Sequence, residues 1–206
     1  MIEYRYFKSV DNGLNWTRHD IITTGGTYTY AEPSLVNLGN NQLLCVARKT
    51  LSGSNTCNHQ WFSPDNLNTW RDDGDLDNVD TWGIVVGNRE RPPFISLLNY
   101  YNKKIVDLWW VNTTTQKFSV CYAKATDFSI NGKNAWNLTT KYELMTMNNY
   151  NNLGFTLDGY QTVVHKRNYW GGIGSIYYES AIDKSDIRFF YTPLSNRKTV
   201  ISALNF

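Results

Sequence analysis

Ser9-Val10-Asp11-Asn12-Gly13-Leu14-Asn15-Trp16 is the stretch whose reading decides the fold. A serine and an aspartate two apart, then glycine and tryptophan, make a self-sufficient turn. The Asp carboxylate accepts from nearby backbone amides, glycine permits a left-handed residue, and tryptophan supplies a large apolar plug. The pattern returns as Ser63-Pro64-Asp65-Asn66-Leu67-Asn68-Thr69-Trp70, with Leu67 where the first copy has Gly13. A degenerate third copy, Ser129-Ile130-Asn131-Gly132-Lys133-Asn134-Ala135-Trp136, keeps the serine and the tryptophan. Their spacing suits repeating units of roughly 40–50 residues with insertions.

Around these turns, paired strand-like runs repeat. Glu32-Pro33-Ser34-Leu35-Val36-Asn37-Leu38 precedes Asn41-Gln42-Leu43-Leu44-Cys45-Val46-Ala47-Arg48. Arg91-Pro92-Pro93-Phe94-Ile95-Ser96-Leu97 precedes Lys104-Ile105-Val106-Asp107-Leu108-Trp109-Trp110-Val111. Tyr160-Gln161-Thr162-Val163-Val164 precedes Gly172-Ile173-Gly174-Ser175-Ile176-Tyr177-Tyr178-Glu179. Each pair reads as a strand, a Gly/Asn-rich connection and a second, more apolar strand. Leu43 to Ala47 is apolar without alternation, as expected of a strand buried on both faces.

The S-x-D-x-G-x-x-W turns resemble the Asp-boxes (BNR repeats) of the sialidase superfamily, and the resemblance spans nearly the whole chain. It implies an all-β, sialidase-like β-propeller of four-stranded antiparallel blades. The expected division of 1–206 is a half blade at 1–25 and blades at 31–85, 91–145 and 158–206. That makes about three and a half blades where sialidases have six, so further polypeptide, from the same or another chain, is expected to complete the ring. In the family the boxes join the third and fourth strands, away from the active site. Ser9, Asp11, Gly13, Trp16, Ser63, Asp65, Trp70 and Trp136 are therefore expected to be structural, with the three tryptophans as buried plugs.

The same resemblance puts ligands at the starts of the first strands and the ends of the second. Glu32, Arg48, Arg91, Trp110 and Tyr178 are the candidate ligand-binding residues. Arginine grips oxyanions bidentately, aromatic faces stack on sugar rings, and carboxylates accept hydroxyl protons. Glu32 and Arg48 have a simpler alternative, pairing with each other across adjacent strands. An active sialidase needs three arginines, a tyrosine nucleophile activated by glutamate, and an aspartic acid. Tyr160, Glu179 and Asp158 would fill the last three roles if the chain is an enzyme. Only Arg48 and Arg91 occupy arginine positions, so a carbohydrate-binding module is favoured over a sialidase-type glycosidase. A purely structural tail protein is the third alternative.

Composition closes off other classes. The 206 residues are 41% hydrophobic, 18% charged and 15% aromatic, with 8 Trp and 14 Tyr, as in a globular chain rich in sheet-filling and sugar-stacking rings. A net charge of +2, with only the short basic clusters Lys103-Lys104, His165-Lys166-Arg167 and Arg197-Lys198, argues against nucleic acid as a partner. Cys45, Cys57 and Cys121 lack zinc spacing, no metal or other cofactor is expected, and no phosphate-loop or metalloprotease motif occurs. No apolar run suits membrane insertion, and no signal peptide is expected. The Asn-, Tyr- and Thr-rich, cysteine-poor character resembles propeller domains of phage tail receptor-binding proteins. The expected location is thus a virion tail or a cytoplasmic assembly.

Overall fold

The computed structural model describes residues 3–23, 28–50, 56–76, 93–100, 102–112, 117–146, 155–157, 162–166, 169–179, 184–192 and 195–205. Strands dominate them, as the alternating and doubly apolar runs require, and they form four antiparallel sheets.

The first sheet is the hairpin β1 (Glu3–Lys8) and β2 (Thr17–Thr23). The second is a meander of β3 (Thr29–Gly39), β4 (Gln42–Thr50), β5 (Thr56–Ser63) and β6 (Arg71–Asp75). The third repeats that order with β7 (Phe94–Tyr100), β8 (Lys103–Asn112), β9 (Lys117–Lys124) and β10 (Asn137–Thr146). In the fourth, β13 (Tyr169–Glu179) pairs along one side with both β11 (Phe155–Leu157) and β12 (Thr162–Lys166), and on the other with β14 (Lys184–Thr192). After β14, where the repeat predicted a further outer strand, the chain forms a helix, Ser195–Ala203.

The middle strands are buried on both faces. Along β8, Val106, Leu108 and Trp110 join a core shared with the second sheet's Leu44, Val46 and Phe62. The alternate residues Ile105, Trp109 and Val111 join a separate core with Phe118, Val120 and Tyr122, closed by Val200 and Leu204 from the C-terminal helix region. Side chains in a strand alternate between faces, so burying both leaves no polar period. That explains why Leu43 to Ala47 showed none.

The first strands of the second and third sheets lie side by side. The Ile95 amide donates to Ser34 Oγ at 3.0 Å, linking β7 to β3. Lys104 donates to the Leu38 carbonyl at 2.9 Å near the far end of β3.

Both Ser-x-Asp turns form the same network. Ser9 Oγ donates to Asp11 and accepts from the Gly13 amide at 2.7 Å, while Asp11 accepts from the Asn15 amide at 2.8 Å. In the second turn the Leu67 amide donates to Ser63 Oγ at 2.9 Å, and the Thr69 amide to Asp65 at 2.8 Å. Hydrogen bonds hold both carboxyls below the usual aspartate range, the Asn15 amide contributing most at Asp11 and the Thr69 hydroxyl at Asp65. The turns join β1 to β2 and β5 to β6, the latter being third and fourth in its sheet.

Two expectations about the plugs need correction. Trp16 is 61% exposed; it donates from its indole to the Gly13 carbonyl and folds back on its own turn. The third copy is helical: residues 125–135 form a 3-10 turn, the short α-helix Phe128–Asn131 and a second 3-10 turn. Its Gly132 comes one residue earlier than Gly13 does, and takes φ +54° as that helix's C-cap. Trp136 is nevertheless buried, edge-on to Phe128 and donating to Gln60 Oε1 at 2.8 Å across the sheet interface.

Candidate functional site at the strand ends opposite the turns

Antiparallel register sorts the sequence candidates. Ser63, which opens the second turn, pairs with Leu43 at the start of β4, so Arg48 to Thr50 lie at the other end of the strand. By the same logic Trp110 lies near the end of β8, and Tyr178 and Glu179 end β13, paired with Thr156 and Phe155 of β11. Arg91, Asp158 and Tyr160 lie outside the described residues.

Three of the second sheet's residues meet at this end. Glu32 follows Ala31, the partner of Arg48, in a bulge that shifts the register before Ser34. Its φ is +57°, a left-handed conformation rare for a residue with a Cβ, and one set against the extended preference of a residue before proline. The bulge carries the Glu32 carboxylate to 2.9 Å from an Arg48 terminal nitrogen. Both side chains keep some solvent contact, with 26% and 20% exposed respectively. The cross-strand pairing foreseen as an alternative is therefore made. Asn58, paired with Arg48 on β5, is buried at 4% exposure. Its Oδ1 and the Arg48 Nε are buried without hydrogen-bond partners.

Trp110 does not present a ring to this end. It is 2% exposed in the core between the second and third sheets, with the Lys141 ammonium 5.4 Å from its ring centre. Alternation explains the correction, because even-numbered positions of β8 face the second sheet.

The other face of the same strand end holds a cluster that sequence reasoning missed. Lys49 bonds both carboxylate oxygens of Asp75 at 3.0 Å. His59 Nδ1 meets Asp75, and Nε2 lies 2.8 Å from Asp72. Both ring nitrogens thus face carboxylates, one from each of two aspartates of β6. Burial alone would raise Asp75, but hydrogen bonds from His59 and Lys49 outweigh it and hold the carboxyl below its usual range. Tyr30 stacks edge-on to His59 and Trp61, and burial, with Asp72 and Asp75 nearby, pushes its hydroxyl up to about 12. With both nitrogens engaged by carboxylates, the arrangement fastens β4, β5 and β6 together. Among the described residues no group of His, Cys, Asp and Glu is placed to hold a metal. The available signal was the acidic run Asp72-Asp73-Gly74-Asp75 in a strand opposite a lone histidine.

Beside this clamp, Tyr28 is 41% exposed, with Lys49 4.2 Å from its ring centre. It offers an aromatic face at the same end of the sheet as Arg48 and Glu32. Asp107, whose carboxyl burial pushes upward, is buried in β8 and bonded to Ser96.

No protein-family model and no curated protein matches the chain. Among solved structures, a protein of unknown function from Dyadobacter fermentans DSM 18053 superposes with a TM-score of 0.53 at 13% identity, over 88% of this chain and 43% of that one. 1,3Gal43A, an exo-beta-1,3-galactanase from Clostridium thermocellum, gives 0.44 at 12% identity, over 77% of this chain and 36% of that one. The chain thus spans less than half of either neighbour, and the first likeness is one of fold alone.

Proposed function

We propose that this chain is a glycan-recognition module whose sheets are blades of a sialidase-like propeller completed by further polypeptide. The observation that carries the binding reading is the Glu32–Arg48 pair, held in left-handed, bulged backbone at the end opposite the turns. Backbone strain of this kind costs on the order of 1–3 kcal/mol and persists where the surroundings enforce it, often at ligand sites. Tyr28, at the same end of the sheet but beside Lys49, adds a partly exposed ring of the kind that stacks on sugars. The propeller reading draws on the repeated four-stranded order, the adjacent first strands and the turn shared by the third and fourth strands. In the first sheet that same turn joins its two described strands, which marks where the blade would be completed.

The test is a glycan array probed with wild type, Arg48→Ala and Tyr28→Ala, with Trp16→Ala as a control at the opposite end. Arg48→Ala should weaken binding about 10- to 100-fold, the worth of hydrogen bonds to a charged group. Tyr28→Ala should cost a few-fold and Trp16→Ala nothing. Retained binding in Arg48→Ala, or no glycan held by wild type, overturns the reading.

A further inference from the structure

We infer that Glu32, Arg48 and Asn58 form a subsite for the paired hydroxyls of a neutral sugar, one that selects against sugar acids; this rests on the glycan-recognition reading above. The donors and acceptors that remain at the site decide which ligand it fits. Arg48 is already opposed by a carboxylate at 2.9 Å, so its charge is matched within the protein. An entering anion would gain the guanidinium and meet Glu32 at the same distance scale, where like charges repel.

The unengaged atoms are of opposite kinds. Arg48 Nε is a buried donor lacking an acceptor, and Asn58 Oδ1 a buried acceptor lacking a donor. They belong to directly paired residues of β4 and β5, whose Cβ atoms stand roughly 4.5–5.5 Å apart on one face. A hydroxyl both donates and accepts, so adjacent hydroxyls on a pyranose ring satisfy both atoms together. A carboxylate only accepts; it would serve Arg48 and set a negative oxygen against Asn58 Oδ1. The Glu32 and Arg48 side chains keep partial solvent contact while Nε and Oδ1 lie covered beneath them, so an entering hydroxyl pair has to shift the Arg48 side chain to reach both.

The selectivity is measurable without naming the natural ligand. Methyl glycosides of glucose, galactose and mannose are compared by calorimetric titration with the matching methyl uronides, which differ only in the carboxylate. Wild type should bind at least one neutral glycoside tenfold or more tightly than its uronide. Glu32→Gln keeps the shape and removes the opposing charge, so it should narrow that ratio tenfold or invert it. Uronide preference in wild type overturns this inference and leaves the recognition reading standing, as does a ratio unchanged by Glu32→Gln. Failure of every glycoside to bind, with the array also blank, removes both.

Discussion

Leu67 shows how a turn can be right in its chemistry and strained in one residue. It occupies the place of Gly13, and its φ of +73° follows Asn66 at +59°, just as Gly13 at +89° follows Asn12 at +59°. Left-handed backbone costs a residue with a Cβ roughly 1–2 kcal/mol, partly offset by the lower unfolded-state entropy relative to glycine. Leu67→Gly should therefore leave stability unchanged or raise it by up to about 1 kcal/mol, read as a higher midpoint in thermal unfolding. A clear loss would mean that Leu67 packing outweighs the strain. Asp107 is strained differently. Burial pushes its carboxyl up to about 6 against the opposing bonds from Ser96 and Trp109. A raised folded value means this group favours the native state fully below about pH 4 and progressively less as pH rises through 6. Roughly two units correspond to on the order of 3 kcal/mol. Subtracting the urea-derived stability profile of Asp107→Asn from that of wild type should expose this fall between pH 4 and 7; a flat difference would refute it. Lowered carboxyls such as Asp75 act with the opposite sign and cancel in the subtraction.

At the scale of elements, contiguous signals were legible and those made by packing were not. Asp11 and Asp65 bond amides within four residues of themselves, so the turn is written locally. Whether its tryptophan becomes a plug depends on what lies beside it. Trp136 has the second sheet's Gln60 to donate to and Phe128 to pack on. Arg71 reinforces that contact from β6, bonding the carbonyls of Phe128 and Ser129 at 2.7 and 2.9 Å. Trp16 bonds back to its own turn. The Glu32–Arg48 pair was foreseeable because β3 and β4 are neighbours in sequence. The His59 clamp required the β5–β6 register, which a bulge between Gln60 and Trp61 shifts by a residue. Trp136→Ala should thus cost about 3–5 kcal/mol, as for a fully buried aromatic, whereas Trp16→Ala should fall near the 0.5 kcal/mol of surface changes. Chemical denaturation of the two variants decides it, and equal losses would contradict the burial difference.

Across the whole molecule, stability should grade with how many sheets press on each strand. β8 and β9 lie between two cores, while the first sheet is a hairpin, a form marginal by itself in water. Among the described residues, contacts around one turn tie it to the second sheet. The Tyr6 hydroxyl donates to the Leu67 carbonyl, Lys8 donates to the Asn66 carbonyl at 2.9 Å, and the Tyr6 ring lies edge-on to Trp70 with centroids 6.5 Å apart. Phe7, Val10 and Leu14 remain largely exposed on the same hairpin, so these three add little apolar burial to it. Local opening should then precede global unfolding, and native-state hydrogen exchange should show the amides of β1 and β2 exchanging well before those of β8 and β9. Tyr6→Phe keeps the ring contact and removes one hydrogen bond worth about 1 kcal/mol, or roughly a fivefold change in the opening equilibrium. Exchange in β1 and β2 should accelerate by that factor while β8 and β9 keep their protection. If Tyr6→Phe instead shifted all four strands equally, the hairpin would be part of one cooperative unit with the central sheets, and the graded picture would fail.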